Sequence, residues 1–378
     1  MSTKKQPAPR LLRWTRFASD PHGTGPEKRS AQILSLCRGA GFGVDDMQPP
    51  SHISRWQVLK AGLSARWRHG AHASVDHAGP GLLGFRARFY QTALAAHQGT
   101  RVLLWETTYD TLLPEMAHAA GFKIIALPHN LEALVSERVF ADQAYNPFAD
   151  LAAEVDRLAR AEAIFTIAKE ERWLLEARGL EPDYLPYYPD PVLVDECGAI
   201  RRKREARADA GGAVAGPLLL LGSAFNPATA RGMREQLRRL KANGLPPGGV
   251  TVAGPRSDEV LADEKVPGIQ LLGGVSRERL VGLLETCTAL LIHTVAGAGA
   301  VTRIPEGLLA GLPIIANPNA ARDQHGVSGV HVYETAAEFE ALARKAWPIP
   351  PAPSRPTAAE ARFVDTLARL TAAVSAPA

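Results

Sequence analysis

Short apolar runs of strand length recur through the second half of the chain, at Pro217–Ala224, Gly249–Gly254, Ile269–Gly274, Ala289–Val295, Pro313–Asn317 and Val330–Tyr333. The segments between them carry helical spacing: Leu280, Leu283, Leu284 and Cys287 follow a cap at Ser276, and Leu237 and Leu240 close at Gly244. Strands separated by helices of this length are joined by right-handed crossovers, which build a parallel sheet covered on both faces. The first half repeats the rhythm less cleanly. Leu11–Phe17, Arg101–Trp105, Lys123–Leu127 and Ala163–Ile167 read as strands, and Gly121 and Gly179 sit where glycines end helices. A turn at His22, Gly23, Thr24 and Gly25 precedes a helix starting near Pro26, a favoured first helical residue. The expected class is therefore α/β, with two doubly wound halves.

A chain of 378 residues suits two domains better than one. The expected division is a first domain over 1–198, a linker over 199–216 and a second domain over 217–347. The linker is rich in Arg, Ala and Gly, has no strand pattern, and follows the proline-punctuated Pro182–Pro191. Residues 348–378 then hold an extended PIPPAPSRP connector and an amphipathic helix over 358–374, with Phe363, Leu367, Leu370 and Val374 on one stripe. No partner for that stripe is evident from its sequence alone.

Composition narrows the function classes. Lys plus Arg number 43 against 39 Asp plus Glu, and the arginines are scattered rather than gathered into a stripe, which argues against a nucleic-acid partner. Cys37, Cys197 and Cys287 are far apart and form no CxxC pair, so neither a disulfide framework nor a zinc site is expected, and a reducing compartment fits. Arg13, Arg16 and Asp20 interrupt any leader-like apolar run, and the longest apolar stretch, Thr288–Val301, stops at Arg303. It is well short of the ~20 residues that span a bilayer. The expected location is cytoplasmic, with peripheral association at the inner face of a membrane left open. Trp56, Arg66, Trp67 and Arg68 hint at contact with a membrane surface or a glycan, although Trp at helical spacing is more often core.

Open parallel sheets bind ligands where strands pass into helices, because backbone N–H groups and helix N-termini converge there and favour anions. Two such junctions in the second half bear glycine: Gly222-Ser223 after four leucines, and the Gly297–Arg303 loop after ALLIHTV. Gly297 and Gly299 allow close backbone approach, while Thr302 and Arg303 add a hydroxyl and a donor fork suited to phosphate. A tight turn with no ligand would look the same. Glu306 follows in the first turn of the next helix, behind Pro305. There it can accept from two vicinal hydroxyls of a ribose, or simply complement the helix dipole.

The string GAGAVTRIPEGLLAGLPIIANP, from Gly297, resembles the GT-B glycosyltransferases, in particular the large family-four (group 1) class. Those enzymes carry a glycine-rich turn, a glutamate, a small-residue helix ending in glycine and proline, and a buried strand. GVSRERLVGLLETCTALLIHT and AGP at Ala253–Pro255 resemble the family's preceding elements. LPHNLEAL (Leu127–Leu134) and AIFTIAKEERWLLEARGL (Ala163–Leu180) resemble the end of its first domain. About two thirds of the chain is covered.

The resemblance implies two Rossmann-like domains facing across a cleft, with a nucleotide-sugar donor held by the second. Glu306 would sit on the ribose, Gly222, Ser223, Gly254 and Val275 among the donor-side residues, and Gly297, Gly299, Thr302 and Arg303 near the diphosphate and sugar. His129 and Asn130, with the His22, Gly23 and Thr24 turn, would lie on the acceptor side, and the terminal helix would return to the first domain. The implied activity is sugar transfer, with retention and without metal, to a glycan, lipid-linked or small-molecule acceptor. No DxD triplet occurs, and no cofactor beyond the donor is expected. Were the configuration inverted, Glu106 or His129 would be the candidate base.

Three departures from the family pattern are present. Ala298 stands eight residues before Glu306, where the family, whose two glutamates are separated by seven residues, often places the other acid, and Ser223 and Ala228 occupy the positions of its usual Arg and Lys. Arg231, Arg256 or Arg303 could supply the missing cationic charge. Ala298 and the absent pair also suit a protein that binds a nucleotide sugar without turnover. A third reading, an NAD-dependent oxidoreductase, rests on the GPGLLG string at Gly79–Gly84 with Glu106 beyond it. The polar HASVDHA before that string favours a flexible loop instead.

Overall fold

The computed structural model describes residues 8–49, 52–75, 80–108, 112–135, 147–210, 216–264 and 266–375. The chain divides into two compact units. The first takes in Met1–Leu134, Asn146–Pro186 and Pro356–Ala378, and the second is built on Tyr187–Arg355.

In the first unit the elements run β1 (Arg10–Trp14), α1 (Gly25–Gly39), β2 (Gly43–Asp46), α2 (Arg55–Val75), α3 (Pro80–Ala96), β3 (Val102–Trp105), α4 (Leu112–Ala119), β4 (Lys123–Ala126), α5 (Pro147–Leu158), β5 (Ala163–Thr166), α6 (Lys169–Glu176) and β6 (Asp183–Tyr184). The second unit opens with α7 (Pro191–Asp209), then β7 (Leu218–Leu221), α8 (Pro227–Asn243), β8 (Val250–Ala253), α9 (Ser257–Val260), β9 (Ile269–Leu271), α10 (Arg277–Thr286) and β10 (Ala289–Ile292). It closes with α11 (Arg303–Leu309), β11 (Ile314–Ala316), α12 (Pro318–Ala321), β12 (Val330–Val332) and α13 (Ala336–Ala343). The last helix, α14 (Thr357–Ser375), belongs to the first unit.

Each unit holds one six-stranded sheet, ordered β2-β1-β3-β4-β5-β6 in the first and β12-β11-β10-β7-β8-β9 in the second. Every pairing is parallel. Because successive side chains of a strand point to opposite faces, a run such as VLLW must be apolar throughout to bury both. Leu103 and Trp105 enter the core on one side of the first sheet, and Val102 and Leu104 the core on the other. In the second sheet Leu290 and Ile292 face away from Ala289 and Leu291 in the same manner. The connector 348–356 is extended, and the stripe of α14 finds its partner on the face of the first sheet that carries Val102 and Leu104. Phe363 meets Phe165 edge-on at 5.3 Å, and Leu367 and Leu370 join Leu11 and Ile33.

The structure corrects two expectations. The stretch expected as a linker over 199–216 is helical as far as Asp209, and α7 is part of the second unit, which begins at Tyr187. Arg204 shows why a stretch rich in arginine can still be an integral helix: it is fully buried, and its guanidinium donates to the carbonyls of Gly311, Leu284 and Cys287 at 3.1, 2.9 and 2.8 Å. A planar group with five donors can cap the ends of several elements at once. The glycine string at 79–84 is not a loop where it is described: from Pro80 onward it is the start of α3, and the nearest described element before it is helix α2, which removes the basis of the oxidoreductase reading. Gly79 lies outside the described residues. Gly84 is there for packing, since a Cβ would fall 1.9 Å from the Val58 carbonyl oxygen. Of the two readings that the sequence left for Trp56 and Trp67, surface contact or core, the structure has both residues exposed.

Candidate functional site

In a doubly wound sheet the strand order reverses at one point, and the neighbouring helices leave in opposite directions there, opening a crevice at the carboxyl ends. The reversal lies between β7 and β10 in the second unit and between β1 and β3 in the first. Residues expected from sequence gather at both.

In the second unit Arg303, the first residue of α11, donates to the Leu221 carbonyl at the end of β7. It occupies space that only a glycine leaves open: a Cβ on Gly222 would lie 2.6 Å from the Arg303 Nη1 and 2.6 Å from Thr229. Gly254, at φ +136°, is pressed against the Gly222 carbonyl, 1.9 Å from where a Cβ would stand. Gly222 and Gly254 use their own amides on Ala253 and Gly273, at 3.1 and 2.8 Å. Their contribution is room for close approach, not a donor to phosphate. Ser223 accepts at its carbonyl from Asn226, whose side chain caps α8 by accepting from Thr229. Burial pushes the Arg303 guanidinium down to about 10 against the opposing pull of Glu306, so it stays cationic at neutral pH.

Glu306 lies three residues along α11 from Arg303, and the Tyr187 hydroxyl donates to its Oε1 at 3.0 Å. Burial, together with the charge of Glu306 and this hydrogen bond, raises the Tyr187 phenol well above its ordinary value and fixes it as a donor. The loop before α11 has Gly297 at φ +123° and Gly299 at φ +70°, a conformation costly for other residues. Thr302 at its end is buried. Arg322 holds the loop from behind, donating from Nε to the Gly299 carbonyl at 2.9 Å and from Nη2 to that of Ala298 at 2.6 Å. Val275 packs against the apolar core beside β8 and β10, ahead of the Ser276 cap. Arg256 is the one described non-glycine residue with positive φ, at 60°, and it lies over Phe225 at 5.3 Å from the ring.

In the first unit β1 and β3 end in a buried ionic cluster. Arg13, in β1, grips Asp46 with Nε and Nη2 at 2.6 and 3.0 Å, and its Nη1 reaches Ser19 at 2.8 Å and Glu106 at 3.4 Å. Glu106, 1% exposed, also accepts from the Ser30 hydroxyl of α1 and pairs with His129 Nε2 at 3.1 Å. Burial alone would raise the Glu106 pKa. The His129 hydrogen bond and charge, with Arg13 and Ser30, outweigh it and hold the carboxyl below its ordinary range. The His129 ring stacks on Phe17 at 5.1 Å, and its buried Nδ1 has no partner among the described residues.

Asn130 turns away from this cluster to donate to Glu132 at 2.7 Å. The following 3-10 turn, Glu132–Leu134, is tied down by Glu171 and Glu154, which accept from the amides of Leu131, Glu132 and Ala133. Gly23 and Thr24 form the entry to α1. They are organised locally, with Thr24 donating from N–H and hydroxyl to Glu27 at 2.6 and 2.7 Å and Asp20 accepting from the amides of His22 and Gly23.

Sequence reasoning therefore brought Gly222, Gly254, Arg303 and Glu306 to one place and Glu106 and His129 to another. It missed Tyr187, Arg322, Arg13, Ser30 and Asp46. Of these only Arg13 carried a local signal, a charge inside the apolar strand RLLRW.

No protein-family model and no curated protein matches the sequence. Solved structures do match in fold. Anabaena HepE in complex with UDP-glucose is 14% identical with a TM-score of 0.57, over 96% of this chain and 100% of that one. Sucrose-phosphate synthase of Thermosynechococcus elongatus is 13% identical with a TM-score of 0.61, over 97% and 100%. A trehalose-6-phosphate synthase, from work on glycosyl transfer with retention using bisubstrate glycomimetics, is 12% identical with a TM-score of 0.56, over 97% and 95%. The two parallel-sheet units have the GT-B glycosyltransferase fold.

Proposed function

We propose that the protein is a glycosyltransferase that moves a sugar from a nucleoside-diphosphate donor to a glycan, lipid-linked or small-molecule acceptor, with retention and without a metal ion. The observation that carries the reading is the convergence of Arg303, Gly222 and Gly254 at the strand reversal of the second unit, with Glu306 one helical turn away and oriented by Tyr187. Glu306 accepts from the ribose hydroxyls. Arg303 and the loop at Gly297, Gly299 and Thr302 face the diphosphate, whose negative charge grows as the glycosidic bond breaks, and fixed donors aimed at that charge lower the barrier. Ser223 and Val275 border the nucleoside. The structural neighbour in complex with UDP-glucose supports this assignment of ligand.

The acceptor is handled by the first unit, where His129, Asn130 and the His22, Gly23 and Thr24 turn supply polar contacts. Glu106 is a weak base, being buried, held by three donors and kept ionised; its role is to position His129. Should transfer invert the anomeric carbon, His129, whose Nδ1 has no partner among the described residues, is the better base.

Titration calorimetry with UDP, GDP and NAD, followed by an assay for donor hydrolysis and transfer, tests the reading. A nucleoside diphosphate should bind and NAD should not, and binding should fall in Glu306→Ala. No affinity for any nucleoside diphosphate sinks it. A second reading, binding without turnover, is favoured by Ala298 at the place of a family carboxylate, with its carbonyl taken by Arg322. Tight binding with neither hydrolysis nor transfer would select it.

A further inference from the structure

Helix α2 has two apolar faces, and only one is used. At about 100° per residue, Val58, Ala61, Gly62 and Ala65 share a side of small residues; Gly84 of α3 packs closely on Val58, and Ala61 and Ala65 join the core. The opposite side presents the large residues to solvent: Trp56 is 77% exposed, Leu59 46%, Leu63 64% and Trp67 86%. These four lie within an arc of about 80°, flanked by exposed Arg55 and Arg66 along one edge and exposed Lys60 along the other. Helix α3 adds the exposed Leu82 and Phe85. From Arg55 to Ala96 the sequence has a single acidic residue, Asp76, against six Lys and Arg.

Folding ordinarily puts the large apolar residues of a helix inside and the small ones outside. Here the order is reversed, so the exposed stripe is not explained by the fold of the first unit. Contiguous exposed apolar surface of this kind marks an interaction site. The occupant must accept Trp and Leu while neutralising cations on both sides. A second copy of the same face would bring Arg55, Lys60 and Arg66 against their own like charges with no acid on α2 or α3 to offset them among the described residues. An anionic bilayer meets both demands: Trp and Leu settle at the headgroup boundary, and the flanking cations meet lipid phosphates. None of the described helices is long and apolar enough to cross a membrane, so α2 lies on the surface.

We propose that the outward face of α2, through Trp56, Leu59, Leu63 and Trp67 with Arg55, Lys60 and Arg66, docks the protein on an anionic lipid surface. The inference stands apart from the donor site. The test is co-sedimentation of the full chain with vesicles of phosphatidylcholine, alone or with about a third phosphatidylglycerol. Binding should be strong on the anionic vesicles, weak on neutral ones and reversed by salt. Trp56→Ala with Trp67→Ala should lower partitioning by about tenfold or more, and Lys60→Ala with Arg66→Ala by about 25-fold at low salt. Both pairs are exposed, so thermal melting should be unchanged, which separates lost docking from lost fold. Glu306→Ala should bind vesicles as well as the unaltered chain, so failure at the donor site is distinguishable. Three outcomes would overturn the proposal: no binding to anionic vesicles, binding indifferent to both variant pairs, or a dimer in sedimentation velocity that the tryptophan pair abolishes without any vesicle binding.

Discussion

Glu106 keeps its charge in the interior, and acid stability follows from that. Its pKa in the folded protein lies below that of the unfolded chain, so the stability it contributes is fully present above about pH 4.3 and is lost as the pH falls through the folded value. Glu106→Gln should flatten the acid side of a melting-temperature profile. At neutral pH it should cost stability at the lower end of the ~3–5 kcal/mol seen when one partner of a buried pair is removed, because Asp46 still holds Arg13. An unchanged acid limb would show that the cluster is not ionised. At the donor site, Glu306→Ala should weaken nucleoside-diphosphate binding by about 1–3 kcal/mol and Tyr187→Phe by about 1 kcal/mol, measured by calorimetry. A Tyr187→Phe loss equal to that of Glu306→Ala would make Tyr187 itself a ligand contact. Cys37 and Cys287 are buried thiols pushed up to about 12 by desolvation, and Cys197 is buried as well. A thiol reagent should label none of them until the protein unfolds.

Among the elements, the turn after β8 and the last helix are the sensitive points. Gly254→Ala asks for a left-handed backbone and a Cβ overlapping the Gly222 carbonyl, and should cost at least the ~1–3 kcal/mol of a strained residue. Melting temperature and nucleotide affinity should fall together, since both strand ends move. In α14, Phe363 is wholly buried against Phe165 although it is separated from it by nearly two hundred residues of sequence. Phe363→Ala should lose about 3–5 kcal/mol in chemical denaturation, and a loss under 1 kcal/mol would mean that the helix is not integral to the first unit. The stripe Phe363, Leu367, Leu370 and Val374 was legible as amphipathic, but the surface it covers was not, because periodicity records that a face is buried and not what buries it. The same limit applies to α2, where spacing left Trp56 and Trp67 open between core and surface, and the structure exposes both.

For the molecule as a whole, nucleoside diphosphate should raise the melting temperature by mass action at the folded state and NAD should not, a thermal-shift measurement that needs no acceptor. The α/β class and most of the strands are legible in the amino-acid pattern, because a parallel strand buried on both faces must be a continuous apolar run and each crossover helix leaves a period of its own. That pattern also marked Gly222, Gly254, Gly297 and Gly299, where close approach or positive φ excludes other residues, and the Arg303–Glu306 pair beside them. The relations between charges distant in sequence emerge only once the chain is folded. Arg13, Asp46, Glu106 and His129 meet because β1, β2, β3 and β4 are neighbours in the sheet, and Tyr187 meets Glu306 because α7 begins beside α11. An arginine reads alike in a strand, a linker or a surface loop; whether it is solvated, as Arg66 is, or holds a carboxylate or a set of carbonyls, as Arg13, Arg204 and Arg322 do, depends on which partners the fold delivers to the same few ångströms.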